Sequence, residues 1–421
     1  MDSNMEAAAL LMIAVLFFGF SLVSKWIKSL PITAPMVFTA GGFCLYFFSR
    51  KALGMSVSEG AVHFLAELTL VLVLFSDAAS INVRKLLKDH LLPVRMLAIG
   101  LPFSILLGAG FAYVLFGTFT MWMSLLLASV LAPTDAALGQ SVVSDKTVPE
   151  RIRQAISVES GLNDGLALPL VLVFLAIAGM GTVGTSALEW LGFSLLQILL
   201  GPAVGLTLGY AGAKLVDAAV DRGLISKSFE GISALALSVL CFSTAELVFG
   251  NGFIAAFVGG LAFGHFIRHE CNYLFEFAES EGQFFTLSTF FILGAIALPI
   301  IGEHFEWMYI VYGILSLTVI RMLPISVSLI RTGIGWPTKA FLGWFGPRGL
   351  ASILFALLIV EEEKFAGSEE IVAIVLVTVL MSIALHGVSS AYLSRQYGEY
   401  VLAKGECAEM EKVRSAKIRA H

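Results

Sequence analysis

Four oxygen-bearing side chains are closely spaced within the apolar segment at about 151–178. Glu159, Ser160, Asn163 and Asp164 lie at offsets that place them within about 140° of one another around a helix. Carboxylate, hydroxyl and carbonyl oxygens suit a hard cation better than nitrogen or sulfur ligands do. The alternative is a polar contact between helices through the serine and the asparagine, but this leaves a second acid unexplained. The segment therefore predicts a cation site.

A second set of oxygen ligands follows a proline in the segment at about 120–141. Thr134 and Asp135 come directly after Pro133, which removes a backbone donor, breaks the helical hydrogen-bond ladder and leaves carbonyl groups free. Asp135 and Asp164 would repel each other if both faced one small cavity, so at least one should bind a proton when no cation is present. Proton and cation then compete for the same oxygens, and this competition can couple their movements.

Two arginines, Arg321 and Arg348, are the basic residues that we place within the membrane, away from the ends of the apolar segments. An ionisable side chain at the bilayer centre costs about 2.5–3.5 kcal/mol on insertion scales, and arginine does not readily lose its proton. We expect Arg321 to form a buried ion pair with Glu159, and Arg348 to compensate the dipoles of broken helices near Pro347. The alternative pairing, Arg348 with Glu159, remains open at this point.

Three other polar side chains inside the apolar segments have simpler explanations. Asp77 and Glu246 lie toward segment ends, where helix caps and interfacial contacts are common roles. His386 is the only histidine well inside a segment, and such a residue is more often packed and hydrogen-bonded than reactive. The sequence therefore gives no catalytic residue and no resident cofactor, and the chain is not expected to be an enzyme.

The elements that must position these residues are membrane helices. Hydrophobic residues make up 58% of the 421 positions and charged residues 14%, against about 45–50% and 25% in soluble domains. The net charge of −5 offers no basic surface for a nucleic-acid partner. A membrane helix needs about 20 mostly apolar residues, and the apolar runs predict about 13 such helices. Their approximate ranges are 7–27, 31–49, 62–80, 91–116, 120–141, 151–178, 188–214, 229–249, 252–268, 283–301, 306–330, 338–360 and 370–394.

The distribution of basic residues predicts how these helices are oriented. Of the 26 Lys and Arg residues, only Arg50, Lys51 and Lys364 fall on the connections at one side, and Arg321 and Arg348 lie within segments. All the others lie on the opposite side. Because basic residues accumulate in cytoplasmic connections, we expect the N-terminus outside and the C-terminus in the cytoplasm.

Two proline-containing breaks indicate an internal repeat. The sequence Ala-Pro-Thr-Asp at 132–135 interrupts the fifth segment, and Gly-Pro-Arg-Gly at 346–349 interrupts the twelfth. With the seventh segment as a connector, each break falls fifth in a half of six segments, and the two halves have opposite topology. Inverted repeats with a midplane site between discontinuous helices are typical of transporters. The alternative is that two prolines coincide by chance.

These two breaks and the run Glu-Ser-Gly-Leu-Asn-Asp-Gly at 159–165 closely resemble the NhaP branch of the monovalent cation:proton antiporters. This branch includes the animal sodium/proton exchangers, and the resemblance extends over residues 7–395. It implies an all-α fold of two inverted six-helix repeats with crossed discontinuous helices. The whole of 1–395 is then a single transmembrane antiporter domain, followed by a charged cytoplasmic tail at 396–421.

The resemblance also implies an assembly and a mode of movement. Helices at about 91–178 and 306–394 would form a mobile core, and the remainder would be a dimerisation scaffold. The protein would then be a homodimer in the lipid bilayer of the cytoplasmic membrane that works by elevator-type alternating access.

For the site, the resemblance implies a role for each matching residue. Asn163, where the electrogenic branch has a second aspartate, implies one proton per cation and exchange without net charge movement. We therefore expect secondary active transport that exchanges Na⁺ or Li⁺ for H⁺ and serves pH homeostasis. The implied ligands of the transported Na⁺ are Asp164, Asp135, Thr134 and Ser160, with Asn163 and the Glu159–Arg321 pair in support.

Other functions remain as alternatives. Exchange of K⁺ for H⁺ needs the same ligands in a slightly wider cavity, so one sequence does not decide between the two cations. A cation channel would need a ring of pore-lining charges or a carbonyl filter, and the sequence has no such signature. A membrane sensor that transports nothing is the third alternative.

Overall fold

All of the regular structure in the described ranges is helical. The computed structural model describes residues 3–27, 32–52, 59–80, 91–179, 187–269, 272–362, 365–405 and 407–410. Within these ranges the helices are α1 (Ser3–Ile27), α2 (Ala34–Ala52), α3 (Glu59–Ser80), α4 (Leu91–Leu115), α5 (Met121–Val130), α6 (Ala136–Val143), α7 (Glu150–Gly179), α8 (Ala187–Asp221), α9 (Lys227–Leu247), α10 (Gly252–Phe266), α11 (Asn272–His304), α12 (Trp307–Ser328), α13 (Trp336–Trp344), α14 (Leu350–Glu362) and α15 (Ser368–Lys404).

The helices have the length and composition of membrane spans. Among the described residues, 7 helices are long and apolar enough to cross a membrane, and shorter apolar stretches occur in α1, α2, α5, α10 and α14. Large apolar side chains such as Leu22, Leu215 and Leu247 are exposed, as lipid contact requires. The chain is therefore a multi-pass membrane protein. Each predicted segment contains helix, but the number of crossings stays a prediction.

The fifth and twelfth predicted segments are each divided into two short helices. The first break separates α5 from α6 around Pro133, and the second separates α13 from α14 around Pro347. The breaks meet in space, because the Asp135 N–H donates to the Pro347 carbonyl at 2.8 Å. The local effect of each proline therefore creates one shared region of non-helical backbone inside the protein.

The helices form two groups that pack against each other. The site group, α4–α7 with α12–α15, contains both breaks, and the outer group comprises α1–α3 with α8–α11. Glycines allow close backbone approach in the outer group: a Cβ atom at Gly264 would collide with the Ala79 carbonyl, and one at Gly294 with the Thr39 carbonyl. Such contacts through small residues are typical of membrane helices. Helix α3 also contacts α7 and α14, which joins the outer group to the site group.

The last helix is longer than the sequence predicts. We expected the final span to end near residue 394, but α15 continues to Lys404, so the start of the predicted tail at 396–421 is helical. The reason is packing, since the Tyr397 ring stacks on Phe341 of α13 with ring centroids 4.0 Å apart. Beyond the helix, the buried Glu409 carboxylate accepts the Gly335 N–H at 3.0 Å and so caps α13. Predictions that involve Lys364 and residues 411–421 lie outside the described residues.

Candidate functional site

The oxygen-bearing residues of α7 meet the first helix break around the Thr134 hydroxyl. Thr134, Glu159, Ser160 and Asn163 are all buried. The Thr134 Oγ1 lies 2.9 Å from the Ser160 Oγ and accepts the Asn163 Nδ2–H at 2.6 Å. It also donates to the Glu159 Oε2 at 3.3 Å. Because Pro133 ends the helical ladder here, this threonine can turn its hydroxyl toward α7 instead of toward its own helix.

Glu159 forms a buried ion pair with Arg321 of α12. The Nη1 and Nη2 atoms of the arginine donate to the two carboxylate oxygens at 2.7 and 2.8 Å, and both side chains are 1% exposed. Two parallel charge-assisted hydrogen bonds are a strong and geometrically specific arrangement. A Cβ atom at Gly346 would collide with this guanidinium, so the glycine of the second break makes room for the pair. The alternative partner, Arg348, binds elsewhere.

Arg348 binds the carbonyl groups that the first break exposes. Its Nη1 donates to the Ala132 carbonyl at 2.7 Å and to the Pro133 carbonyl at 3.2 Å, and the side chain is 1% exposed. The final carbonyls of a helix lack intrahelical partners and carry partial negative charge. A guanidinium at the end of α5 therefore satisfies these groups and compensates their charge.

Asp135 caps two helices at once. Its Oδ1 accepts the Leu138 N–H at 3.3 Å, as an N-cap residue of α6 does, and its Oδ2 accepts the Leu350 N–H at 2.6 Å, at the start of α14. Both helices therefore direct the positive ends of their dipoles at one buried carboxylate. A Cβ atom at Gly349 would occupy the place of this carboxylate. The arrangement stabilises negative charge on Asp135.

Asp164 is held differently from Asp135. Among the described side chains, the buried oxygens without a hydrogen-bond partner include Asp164 Oδ1 and its sequence neighbour Asn163 Oδ1. Leaving such atoms unsatisfied costs about 1–3 kcal/mol each, more for a charged group. A proton or a cation bound at this point would satisfy the carboxyl oxygen. Asp164 is thus the acid of the site with vacant coordinating capacity.

The structure adds one acid to the site that the sequence reasoning missed. Asp77 of α3 interacts electrostatically with both Asp135 and Asp164, although α3 belongs to the outer group. A helix cap or an interfacial contact, which we expected for Asp77 from the sequence, does not explain why it lies near these two acids. The available signal was an acid followed by the small residues Ala78 and Ala79, since small residues are typical of packed contacts between membrane helices.

Glu246 shows the opposite outcome. Its Oε1 accepts the Gly252 N–H at 2.7 Å, at the first residue of α10. This is a helix cap, as expected from its position near a segment end. It contributes nothing to the site around Asp164.

Taken as a whole, the site can hold a small hard cation but has no group poised for covalent chemistry. Hydroxyl, carboxylate and amide oxygens converge from α7 and the two breaks, and their flanking charges are compensated by two arginines. Within the described residues, no group of three or more His, Cys, Asp or Glu side chains has the arrangement of a resident metal site.

Comparisons with known proteins agree on the family. The model of the family described as "Sodium/hydrogen exchanger, transmembrane" matches residues 6–395. A similar curated protein is Na(+)/H(+) antiporter 2 of Zygosaccharomyces rouxii, 29% identical over 362 residues, which are 80% of this chain and 44% of that protein. The Na(+)/H(+) antiporter ApNhaP of Aphanothece halophytica is 27% identical, over 90% of this chain and 72% of its own length.

Further relatives include a protein named for another cation. The K(+)/H(+) antiporter NhaP of Alkalimonas amylolytica is 25% identical over 84% of this chain and 61% of its own. The chain spans about half the length of some curated relatives. It covers 44% of the Zygosaccharomyces rouxii protein and 57% of the Na(+)/H(+) antiporter of Schizosaccharomyces pombe. The solved sodium proton antiporter MjNhaP1 from Methanocaldococcus jannaschii has the same fold, with a TM-score of 0.74 at 17% identity, covering 94% of this chain and 99% of that chain.

Proposed function

The chain belongs to the sodium/hydrogen exchanger family, and from this premise we propose that it exchanges Na⁺ or Li⁺ for H⁺ across the cytoplasmic membrane without moving net charge. The observation that carries the proposal is the buried, unpartnered Asp164 Oδ1, in the residue that follows Asn163, whose amide donates to the Thr134 hydroxyl. Relatives named as Na(+)/H(+) antiporters support the choice of ions.

The proposed coupling is competition at Asp164. The buried Asp164 oxygen can be satisfied either by a proton on the carboxyl group or by a cation bound to the carboxylate. A site that holds neither is charged and too costly to move across the bilayer. The proposed cation ligands are Asp164, the Asp135 carboxylate and the Thr134 and Ser160 hydroxyls. Asn163 supports them by donating to Thr134. Each crossing then carries either the proton or the cation, which makes the exchange obligatory.

Charge compensation supports one proton per cation. The charge of the Glu159 carboxylate is already compensated by its ion pair with Arg321. Asp135 is hydrogen-bonded by the first turns of two helices, which favours a constant charge there. Asp164 is left as the acid that alternates between its two occupants. The whole cycle should then be insensitive to membrane potential.

We propose that the site group moves relative to the outer group. The site group holds every proposed ligand, whereas the outer group, through Asp77, contributes only a nearby charge. An elevator-type movement of α4–α7 with α12–α15 would carry the ion past a homodimeric scaffold. The distribution of Lys and Arg along the sequence favours an outside N-terminus and a cytoplasmic C-terminus.

A second candidate is exchange of K⁺ for H⁺. It is favoured by the relative from Alkalimonas amylolytica, which is named as a K(+)/H(+) antiporter and covers 84% of this chain. Both candidates use the same residues, so only selectivity separates them.

The experiment uses proteoliposomes with a preset proton gradient reported by a pH-sensitive dye. We expect Na⁺ or Li⁺ to dissipate the gradient in wild type and not in Asp164→Asn. The matched control is Asp221→Asn, at a carboxylate that is 64% exposed and lies outside the site. Dissipation by K⁺ alone would favour the second candidate, and no response to any of the three cations would contradict both.

The same vesicles test electroneutrality. A membrane potential acts on each uncompensated charge with about 2.3 kcal/mol per 100 mV. If one cation exchanges for one proton, an imposed potential should leave the initial rate unchanged. A rate that follows the potential would show that charge moves and would contradict this part of the proposal.

A further inference from the structure

Two buried polar residues of α15, Ser382 and His386, bind the backbone of the second helix break. The Ser382 Oγ accepts the Arg348 N–H at 2.7 Å. The His386 Nε2 lies 2.9 Å from the carbonyl oxygen of Trp344, the last residue of α13. Both side chains are at most 1% exposed. They therefore hold the two ends of the break, before and after Pro347.

The imidazole of His386 lies between two carbonyl oxygens, each of which can only accept a hydrogen bond. Its Nε2 lies 2.9 Å from the Trp344 carbonyl, and its Nδ1 lies 3.0 Å from the Ser382 carbonyl and 3.3 Å from the Ser382 Oγ. A neutral ring carries one proton and donates it to one of these two carbonyls. In both tautomers the ring lies between α15 and the end of α13.

One peptide plane transmits this arrangement to the cation site. The peptide group between Pro347 and Arg348 donates its N–H to Ser382 on one side and accepts the Asp135 N–H with its carbonyl on the other, at 2.7 and 2.8 Å. The plane is rigid, so turning the N–H away from the serine also turns the carbonyl away from the aspartate. Hydrogen bonds in series also polarise one another.

We propose that Ser382 and His386 are positioning residues for the cation site. They fix the Pro347–Arg348 peptide and thereby the backbone of Asp135, whose carboxylate faces the site. Neither residue touches the cation. The inference rests on the proposed function only in taking the Asp135 carboxylate as a cation ligand.

The Trp344 ring reinforces this arrangement. It stacks on the His386 ring with centroids 4.9 Å apart, and its Nε1–H donates to the Ser389 Oγ at 3.1 Å. The end of α13 is thus attached to α15 by both its carbonyl and its side chain. A displacement of the second break relative to α15 would have to break all of these contacts together.

The first test is a kinetic comparison of two serine variants on the same helix. Ser382→Ala removes the acceptor of the Arg348 N–H. Ser390→Ala removes a buried hydroxyl that donates to the Gly387 carbonyl at 3.4 Å and, within the described part of the chain, makes no hydrogen bond to the break. We expect Ser382→Ala to raise the KM for Na⁺ by about three- to tenfold, with a smaller change in maximal rate. Ser382→Thr keeps the hydroxyl and should restore the KM.

The second test does not depend on transport. Amide hydrogen exchange of peptides that cover residues 133–139 should be faster in Ser382→Ala than in wild type or Ser390→Ala, because the Asp135 N–H loses its fixed acceptor. If Ser382→Ala does not fold, His386→Asn replaces it, since it removes the ring nitrogen that contacts the Trp344 carbonyl and predicts the same changes.

The outcomes separate this inference from the proposed function. If wild type exchanges no cation for protons, the proposed function is contradicted. Amide hydrogen exchange at residues 133–139 still decides the inference in that case. Unchanged amide exchange overturns the inference, as does an unchanged KM in an active Ser382→Ala protein. A raised KM that Ser382→Thr does not restore also overturns it, because loss of the hydroxyl is then not the cause.

Discussion

Asp135 and Leu350, which lie far apart in the sequence, are joined by a hydrogen bond of 2.6 Å from the Leu350 N–H to the Asp135 Oδ2. The contact connects the first residue of α14 to the residue that caps α6. The start of α14 has free N–H groups, and the Asp135 carboxylate of the first break accepts one of them. The proposed cation site is built on this capping.

Replacing Asp135 by asparagine removes the charge and keeps one of the two helix caps. The asparagine oxygen can accept one of the two N–H groups, but its NH₂ group faces the other, so we expect Asp135→Asn to fold with a melting temperature lowered by the loss of one cap. It should lose Na⁺-dependent exchange because the site loses a carboxylate. The measurements are thermal unfolding and vesicle exchange of the same preparation. Exchange with a wild-type KM would show that the Asp135 charge is not needed.

Breaking the buried ion pair should destabilise the protein. Glu159→Ala leaves the Arg321 guanidinium buried and unpaired, which costs about 3–5 kcal/mol, and should lower the melting temperature markedly. The matched control is Glu399→Ala, which breaks the exposed pair of Arg395 and Glu399, with side chains 80% and 66% exposed. Such a pair contributes about 0–1 kcal/mol. Equal melting temperatures for the two variants would argue against a structural role for the buried pair.

Asp77 should influence cation affinity across the boundary between the helix groups. Asp77→Asn removes one acid that interacts electrostatically with Asp164 and Asp135. We expect the KM for Na⁺ to rise by about fivefold, corresponding to about 1 kcal/mol between charges in a partly screened environment. Initial rates over a range of Na⁺ concentrations give this KM. A KM equal to that of the Asp221→Asn control would mean that Asp77 does not act on the cation.

The pair formed by the partly exposed His269 and the buried Asp217 should make stability depend on pH. A hydrogen bond to Asp217, whose Oδ1 lies 3.0 Å from the His269 Nδ1, and the nearby charge of Asp221 raise the pKa of His269 above its usual 6.5. Because this pKa is higher in the folded protein than in the unfolded chain, the stabilisation is complete below about pH 6.5 and is lost as the pH rises through the raised value.

Thermal unfolding of wild type and His269→Gln at a series of pH values checks this. We expect the difference in melting temperature to be larger at pH 5.5 than at pH 9. A difference that is constant over that range, or larger at pH 9, would rule out the charged pair. Raising the salt concentration should reduce the difference at pH 5.5, since the histidine is 38% exposed.

Local signals in the sequence were enough to predict much of the fold. The apolar runs predicted helical segments because a membrane helix has a minimum apolar length, and Pro133 and Pro347 predicted the two breaks because proline removes a backbone donor. Charge compensation favoured Arg321 as the partner of Glu159. Each of these inferences depends on a free-energy cost that belongs to the residue itself, whatever the tertiary fold around it.

Features set by tertiary packing were beyond the reach of the sequence. The place where the two breaks cross decides that Asp135 caps α14, and no local pattern links residue 135 to Leu350. The proximity of Asp77 to Asp164 depends on how α3 packs against α7. His386 was expected to be packed and hydrogen-bonded, but its partners on the second break follow only from the path of α15.

The most direct test of the central claim is whether Na⁺ binding releases a proton from Asp164. Calorimetric titration of the purified protein with NaCl, in two buffers of different ionisation enthalpy, gives the number of protons released per bound Na⁺. Competition at Asp164 predicts release of about one proton per Na⁺, and no release from Asp164→Asn. Saturable Na⁺ binding to wild type with no proton release would contradict it.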